Sequence, residues 1–413
     1  MSHDRSTASP CLRVTRPLSR RGVIAGIGLA GFGLRPAVAA KPLVANGTRR
    51  RLLIGTLFPE TGPQTLLGDE AWRGVALAID AARTRIDADI EVIRANAADP
   101  DASIQAMIRK AGKAPSIDMI LGSQSSTASF AATAAAELAG IPYVELDAPA
   151  AGITMRNFRI LRRTCTTTAA FTAATEAAIA RILAPGWNTT AARLRIALLF
   201  DIGATDGSFA GILLAGLRQE GLPVTLSMAH ATTAPDLDEE VGRMRDARID
   251  LLIHAGRTDH VLLLYQAMQE ARWRPRMIIG TGPGYGLAEI GQTLGGAIDN
   301  TMVIGNPLYG PAAAGIAAAY QARYAAPPRG AASLTTHVGT TIAIEAWRRR
   351  QKLPAALSAI NLPRGSLPNG WGIKFDSRGQ NQASFVTLQQ WRNGALVTID
   401  PKIPGAAKPV LTF

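Results

Sequence analysis

The alternation of strand-like and helix-like segments is the feature that most constrains how this chain folds. Leu52–Leu57 form a short apolar run, "FPETGP" follows as a turn, and the apolar residues Trp72, Val75 and Ile79 then recur at helical spacing. The same order returns in "IDMILG" before "SSTASFAATAAAELAG", and in "LRIALLFDIG" before "GSFAGILLAGLRQEG". This order predicts an α/β protein whose parallel sheets carry helices on both faces.

The segments fit two doubly wound halves. A domain averages roughly 100–200 residues, so a chain of 413 residues suggests two of them. Apolar residues make up 47% of the chain and charged residues 18%, which favours a packed globular protein over a disordered one. In open α/β sheets the ligand lies beyond the carboxyl ends of the strands. We therefore expect the site among the loops after Leu57, Gly122, Glu145, Phe200, His254 and Gly280.

The formal charge of +13 does not by itself indicate a nucleic-acid partner. The first 39 residues carry six arginines and one aspartate, a net +5, which leaves +8 for the remainder. The other basic residues are scattered, and their short clusters at 49–51 and 348–350 lack interleaved aromatic residues. We interpret them as a solvated surface and predict no nucleic-acid binding.

Neither a metal nor a cofactor is predicted. The two cysteines, Cys11 and Cys165, exclude a disulfide framework and a cysteine metal site. His254 and His260 have no Glu or Cys at metal-binding spacing, so we interpret them as structural. The segment "GTGPGYG" matches a dinucleotide loop only weakly because Pro283 interrupts it, and the chain has no P-loop.

Residues 1–40 have the pattern of an export signal. Arg20 and Arg21 precede an apolar, glycine-rich run that is too short for a membrane span and that ends in small residues. The arginine pair resembles a twin-arginine signal, for which we expect cleavage near Ala39/Ala40 and a periplasmic location. A basic disordered tail is the alternative interpretation.

A cluster of hydroxyl residues marks the start of one helix. Ser123, Ser125, Ser126 and Thr127 follow the apolar strand that begins at Met119, and an alanine-rich helix comes directly after them. The hydroxyls either cap the free N–H groups of the first helical turn or join those groups in holding an anion such as a carboxylate.

Several segments together resemble one known family. In chain order they are "IGTLFPETGPQTLLGDEAWRGVALAIDAA", "ILGSQSSTASFAATAAAELAGIPYV", "RIALLFDIGATDGSFAGILLAGLRQEGLPV", "DLLIHAGRTDHVLLLYQAMQEARWRPRMIIGTG" and "GWGIKFDSRGQNQASFVTLQQWRNGALVTIDP". They are similar to the periplasmic substrate-binding proteins of branched-chain amino-acid ABC transporters, the type 1 or Leu/Ile/Val-binding class. The resemblance covers nearly all of the chain after the predicted signal.

The resemblance implies a fold and a mode of action. It implies two Rossmann-like lobes joined by a three-crossover hinge, with a small molecule bound between lobes that close on it. Lobe one would comprise 49–164 and 308–382, and lobe two would comprise 165–307 and 383–413. The implied partner is an inner-membrane ABC permease, and we expect a monomer without enzymatic activity.

The resemblance also implies site residues in lobe one. Ser125, Ser126 and Thr127 match the segment that binds the α-carboxylate of the ligand. The next family loop usually reads Ser/Ala-x-Thr, but this chain reads "ELDAP", with Asp147 replacing a small residue and Pro149 replacing the hydroxyl. A buried carboxylate needs a partner, so Asp147 meets a cationic or hydroxylated ligand or pairs with a nearby arginine.

Lobe two departs from the family pattern as well. Asp206-Gly207 stands where family members often carry Tyr-Gly, and Pro283–Tyr285 occupy a loop where many amino-acid binders place an acid for the ligand's ammonium group. The alternative to an amino-acid-like ligand is therefore an alcohol, an amide or a lipid-like molecule. Such a protein would serve a sensor or a respiratory system.

Other residues near the predicted cleft have two interpretations each. Arg257 follows a strand and either binds an anionic group or forms an ion pair with Asp259. Phe58 and Tyr285 either contact the ligand or pack in the core.

An exported α/β hydrolase is the enzyme alternative. Ser125 would be its nucleophile and His254 or His260 its base. The segment "GSQSST" lacks the second glycine of a nucleophile elbow, which favours a binding protein over an enzyme.

Overall fold

The computed structural model describes residues 49–112, 117–222, 224–233 and 236–412, which belong to one compact unit. The predicted export signal at 1–40 lies outside the described residues and stays a prediction. No helix in the described ranges is long and apolar enough to cross a membrane.

The first sheet has five strands, all parallel. They are β1 (Arg50–Phe58), β2 (Ala88–Asn96), β3 (Met119–Gly122), β4 (Tyr143–Glu145) and β5 (Leu161–Arg163). The spatial order is β2-β1-β3-β4-β5. Strand β1 is buried from Leu52 onward, as expected for a strand covered on both faces.

The second sheet has seven strands and is mixed. Five are parallel: β6 (Ile196–Asp201), β7 (Val224–His230), β8 (Leu251–Ala255), β9 (Met277–Thr281) and β10 (Met302–Gly305). A two-stranded sheet of β11 (Asn361–Leu362) and β12 (Ile373–Lys374) comes next along the chain. The antiparallel hairpin of β13 (Thr387–Arg392) and β14 (Ala395–Thr398) then completes the second sheet, in the order β14-β13-β10-β9-β8-β6-β7.

Helices cover both faces of each sheet. The helices are α1 (Thr65–Arg83), α2 (Pro100–Ala111), α3 (Ser126–Ala139), α4 (Gly152–Met155), α5 (Thr168–Ala178), α6 (Ala184–Gly186), α7 (Ala204–Gln219), α8 (Asp238–Asp246), α9 (Thr258–Glu270), α10 (Ala288–Leu294), α11 (Ala314–Tyr324), α12 (Ala332–Arg348) and α13 (Leu353–Ser358). On the first sheet, Leu52 and Ile54 pack toward α1 and α12, whereas Leu53 and Leu57 pack toward α2 and α3. On the second sheet, α5 and α7 cover one face and α8 and α9 cover the other.

Three segments connect the two sheets, and side-chain amides bond to the backbone of two of them. Asn381 donates to the carbonyl of Thr164 at 3.0 Å, and Gln389 donates to the carbonyl of Asn306 at 2.7 Å. The predicted lobe boundaries at 164/165, 307/308 and 382/383 fall in these segments, outside the strands and helices. We keep this division into two lobes as a proposal and use its names below.

Candidate functional site

A cavity lies beyond the carboxyl ends of β4, β9 and β10, where loops from both sheets meet. It holds about 640 Å³ of space free of protein atoms, part of which is open to solvent. Its polar lining comes from Asp147, Thr166, Asn306 and Gln389 together with the thiol of Cys165. Its apolar walls include Leu67, Pro149, Phe171, Pro283, Leu287, Val303, Leu308 and Leu396.

Asp147 is the acidic group of this cavity. Its side chain is 9% exposed, and its Oδ1 accepts a hydrogen bond from Asn306 Nδ2 at 2.9 Å. Burial raises the pKa of Asp147 well above its usual value, and the charge of Glu145 adds to the shift, while the Asn306 bond opposes it. Of the two alternatives for Asp147, pairing with an arginine is not found among the described residues, where Asn306 is the hydrogen-bond partner.

Glu145, at the end of β4, holds the loop that carries Asp147. Its Oε1 accepts hydrogen bonds from the backbone N–H groups of Leu146, Asp147 and Ala148 at 3.0–3.1 Å. Its Oε2 accepts one from Ser129 at 2.5 Å. Burial raises the pKa of Glu145 to about 7, although these donors favour the charged form. Both oxygens of the Glu145 carboxyl group therefore accept hydrogen bonds that hold the loop.

Arg163, at the end of β5, also holds the loop that follows β4. Its guanidinium is fully buried and donates to the carbonyls of Ala148 and Ala150 at 3.1 and 2.7 Å. It also donates to Gln380 Oε1 at 2.5 Å and to Thr154 Oγ1 at 3.1 Å. Arg163 thus ties the loop after β4 to the crossover that contains Gln380.

The hydroxyl cluster at the start of α3 makes local and long-range contacts. Ser125 caps the helix, since its Oγ accepts from the N–H of Ala128 at 3.4 Å. Ser126 Oγ accepts from the N–H of Ala150 at 3.2 Å and from Thr205 Oγ1 at 2.7 Å. The second bond joins α3 to α7 of the other sheet. The cap is therefore observed, whereas carboxylate binding by this helix end stays a prediction.

The structure divides the predicted site residues between two depressions. Asp147 lines the cavity described above, but Ser125, Ser126 and Thr127 do not. Ser125 and Thr127 line a separate depression, which Arg257 also lines. Its volume is about 780 Å³, and this volume includes open solvent.

Arg257 is engaged by two carboxylates. Its Nε and Nη2 bind Asp259 at 3.2 and 2.8 Å, and its Nη1 lies 3.6 Å from Asp201 Oδ2. The ion pair with Asp259 that the sequence offered as one interpretation is therefore present. The Arg257 side chain is 11% exposed and the Asp259 side chain 37%, so the guanidinium is shielded while its partner reaches solvent.

Asp206 lies in the first turn of α7, directly behind the cavity wall. Its Oδ1 would lie 3.7 Å from a Cβ atom placed on Gly282, which lines the cavity. Burial raises the pKa of Asp206 to about 8, with the charge of Asp201 adding to the shift and Arg257 opposing it. Its carboxylate has no hydrogen-bond partner in the part of the chain that the structure describes.

Asp206 gives a pH-dependent prediction. Its pKa rises from 3.8 to about 8 on folding, so the unfolded chain loses the proton first and the free energy of unfolding falls as pH rises between these values. Because one pKa unit corresponds to about 1.36 kcal/mol, Asp206→Asn should stabilise the protein by up to about 5 kcal/mol at pH 8, and by almost nothing at pH 3 or below. Urea unfolding at both pH values checks this, with exposed Asp246→Asn as the control. An equal effect of Asp206→Asn at both pH values would contradict the prediction.

Phe58 and Tyr285 pack in cores and do not line the cavity. Phe58 is 3% exposed and lies in the cluster between β1 and α1. Tyr285 is fully buried, and its hydroxyl lies 2.6 Å from His254 Nδ1. The structure thus shows the packing that was one of the two interpretations of each residue, because each ring lies in the core of its own sheet. Contact of either ring with a ligand stays a prediction.

His254 and His260 are buried and form hydrogen bonds within the second sheet's lobe. His254 bonds Tyr285, and His260 Nε2 bonds the carbonyl of Thr232 at 3.1 Å, while neither bonds Ser125. In the described ranges no group of three or more His, Cys, Asp or Glu residues is arranged to hold a metal ion. The serine–histidine pair that a hydrolase would need is not formed among the described residues.

Asn306 is a site residue that the sequence interpretation missed. It follows β10, a central parallel strand of the second sheet. The loop after β10 is not among the loops at which the sequence analysis expects the site. The rule that ligands lie beyond the carboxyl ends of strands would have included it. Arg163 was missed as well, because "RILRR" gives no sign that one of its arginines is fully buried.

Comparison with known proteins shows the family to which this chain belongs. A family model described as periplasmic binding protein matches residues 52–395, so the chain belongs to that family. Members are substrate-binding proteins of transport systems, in agreement with the resemblance of the sequence.

Among individual relatives, a Leu/Ile/Val-binding protein homolog 7 of Brucella abortus (strain 2308) is 30% identical over 381 residues, 88% of this chain and 95% of that protein. The branched-chain amino-acid substrate-binding protein LivJ of Streptococcus pneumoniae, solved with isoleucine, superposes with a TM-score of 0.72 at 16% identity. It matches 85% of this chain and 100% of its own. A solute-binding protein of R. palustris, solved with 4-hydroxybenzoate, has a TM-score of 0.71 at 16% identity, over 88% and 97% of the two chains.

Proposed function

We propose that this protein is a periplasmic solute-binding protein that captures a small organic molecule between its two lobes and delivers it to an inner-membrane ABC permease. It acts as a monomer, needs no metal or cofactor, and performs no bond chemistry. The family and the Leu/Ile/Val-binding relatives support this role. A sensor in place of the permease is the alternative partner.

The observation that carries this proposal is a cavity whose lining comes from both sheets. Asp147 and Pro149 reach it from the first sheet, and Gly282 and Asn306 reach it from the second. Hydrogen bonds also cross from one sheet's loops to the other's, as from Asn306 to Asp147 and from Thr205 to Ser126. A ligand that contacts both lobes would stabilise the closed arrangement over an open one.

A ligand screen tests this proposal. The full chain is unfolded and refolded to remove bound ligand, and its thermal unfolding is measured with amino acids, amines, amides, carboxylates, alcohols and sterol-like lipids. A true ligand at 100 times its dissociation constant should add about 2.7 kcal/mol to the free energy of unfolding. It should also reduce the radius of gyration in X-ray scattering. If no compound of any class changed either quantity, the proposal would be wrong.

A further inference from the structure

The charges around the cavity indicate which class of ligand it accepts. Asp147 is the one carboxyl side chain among the described lining residues. No lysine, arginine or histidine is among those lining residues. A ligand carboxylate would therefore lie beside another acidic group with no cation to balance its charge, which is unfavourable in a site shielded from water.

The Asp147 carboxylate still has capacity to accept hydrogen bonds. Oδ1 receives Asn306, whereas Oδ2 has no partner among the described residues. Asn306 itself is fixed by Gln389, which donates to its backbone carbonyl at 2.7 Å. Asp147 is thus held in place with one oxygen unused beside the cavity.

A second carboxyl group lies behind the same wall. Asp206 approaches Gly282, and no described residue donates a hydrogen bond to it. The nearest cation, Arg257, is already shared between Asp259 and Asp201. Asp206 is therefore a second acidic group near the cavity for which the described residues supply no hydrogen-bond partner.

The helix end that would hold a ligand carboxylate lies outside the cavity lining. Ser125 accepts from the N–H of Ala128, and Ser126 is bonded to Ala150 and Thr205. The cavity thus offers a carboxyl acceptor for a positive group, and its described lining residues include no cationic side chain for a negative one. Its remaining walls are apolar side chains such as Leu67 and Phe171.

From this arrangement, and resting on the proposed function, we propose that the ligand is an organic cation: a protonated amine on a mainly apolar body, without a carboxylate. The ammonium group binds Asp147 Oδ2, and the apolar body packs against Leu67, Phe171 and Leu287. The charge of the amine would favour the ionised form of Asp147, whose Oδ2 has no partner among the described residues.

Compounds that share one apolar side chain test this inference by calorimetry. The probes are 3-methylbutylamine, leucine, 4-methylpentanoate and 4-methylpentanamide, with 2-phenylethylamine, phenylalanine and 3-phenylpropanoate as an aromatic series. We expect each amine to bind at least about tenfold more tightly than the amino acid with the same side chain, a difference in binding free energy of about 1.4 kcal/mol. We expect neither carboxylate to bind.

Variants separate recognition by Asp147 from general effects. Asp147→Asn should weaken amine binding about 30-fold or more and leave the amide within a few-fold, because it removes the charge and keeps the shape. Asp246→Asn, whose side chain is 74% exposed on α8, should change neither.

Two results would overturn the inference and leave the proposed function standing. One is an amino acid, carboxylate or uncharged compound, in these series or in the broad screen, that binds more tightly than every amine. The other is an amine that Asp147→Asn binds as tightly as the wild type does. Absence of binding by every compound of every class would instead refute the proposed function itself.

Discussion

Arg163→Met should destabilise the protein by about 3–5 kcal/mol, because it removes a fully buried guanidinium and leaves its acceptors without donors. The carbonyls of Ala148 and Ala150 and the side chains of Thr154 and Gln380 would all lose their bonds to Arg163. Urea unfolding at pH 7 measures the effect. Burial lowers the pKa of Arg163 from its ordinary value, which shows that these bonds work against a desolvation cost.

The matched control for this variant is Arg159→Met. Arg159 is 92% exposed at its side chain and contacts Glu137 at 3.7 Å. Exposed ion pairs of this kind contribute at most about 1 kcal/mol. If Arg159→Met and Arg163→Met had equal effects, the role of Arg163 in tying the loop after β4 to the crossover would be refuted.

The second large effect is expected at Gly74, where α1 and α12 touch. A Cβ atom at this position would lie 2.0 Å from the carbonyl oxygen of Ser333 and 2.3 Å from Thr336 Oγ1. The same helices share a hydrogen bond from Thr336 Oγ1 to the carbonyl of Ala71 at 2.7 Å. Gly74→Ala should therefore push the helices apart and destabilise the protein by about 2–3 kcal/mol in urea unfolding.

An identical substitution elsewhere provides the control. Gly242 lies in α8, and nothing lies within 4 Å of the Cβ that an alanine would add there. Gly242→Ala should stabilise the protein by up to about 1 kcal/mol, since alanine favours the helix more than glycine does. Destabilisation by both variants would mean that the close approach of α1 and α12 is not the cause.

The order of strands and helices was predictable because the hydrophobic periodicity is local. "IDMILG" followed by the hydroxyl cluster does become β3 followed by α3, with Ser125 as the cap. The rule that ligands lie at the carboxyl ends of strands also led to the loop of Asp147. These features need only neighbouring residues and the pitch of a helix or strand.

Long-range pairings could not be read from the sequence. Asp147 and Asn306 are 159 positions apart, and Arg163 meets Gln380 across 217 positions. For Phe58 and Tyr285 the sequence leaves both ligand contact and core packing open, because the direction of a side chain at or after a strand end depends on the helices packed above it. In strands covered on both faces, apolar composition does not distinguish a wall of the cavity from a core.

The most direct test of the account is whether the cavity between the lobes is where ligand binds. Ala331 lines this cavity, so Ala331→Trp should fill it, whereas Ala318→Trp on the exposed face of α11 should not. With the tightest ligand from the screen, calorimetry should show one molecule bound per chain for the wild type and for Ala318→Trp, and none for folded Ala331→Trp. Unchanged binding by Ala331→Trp would contradict the account, since the ligand would then occupy another site.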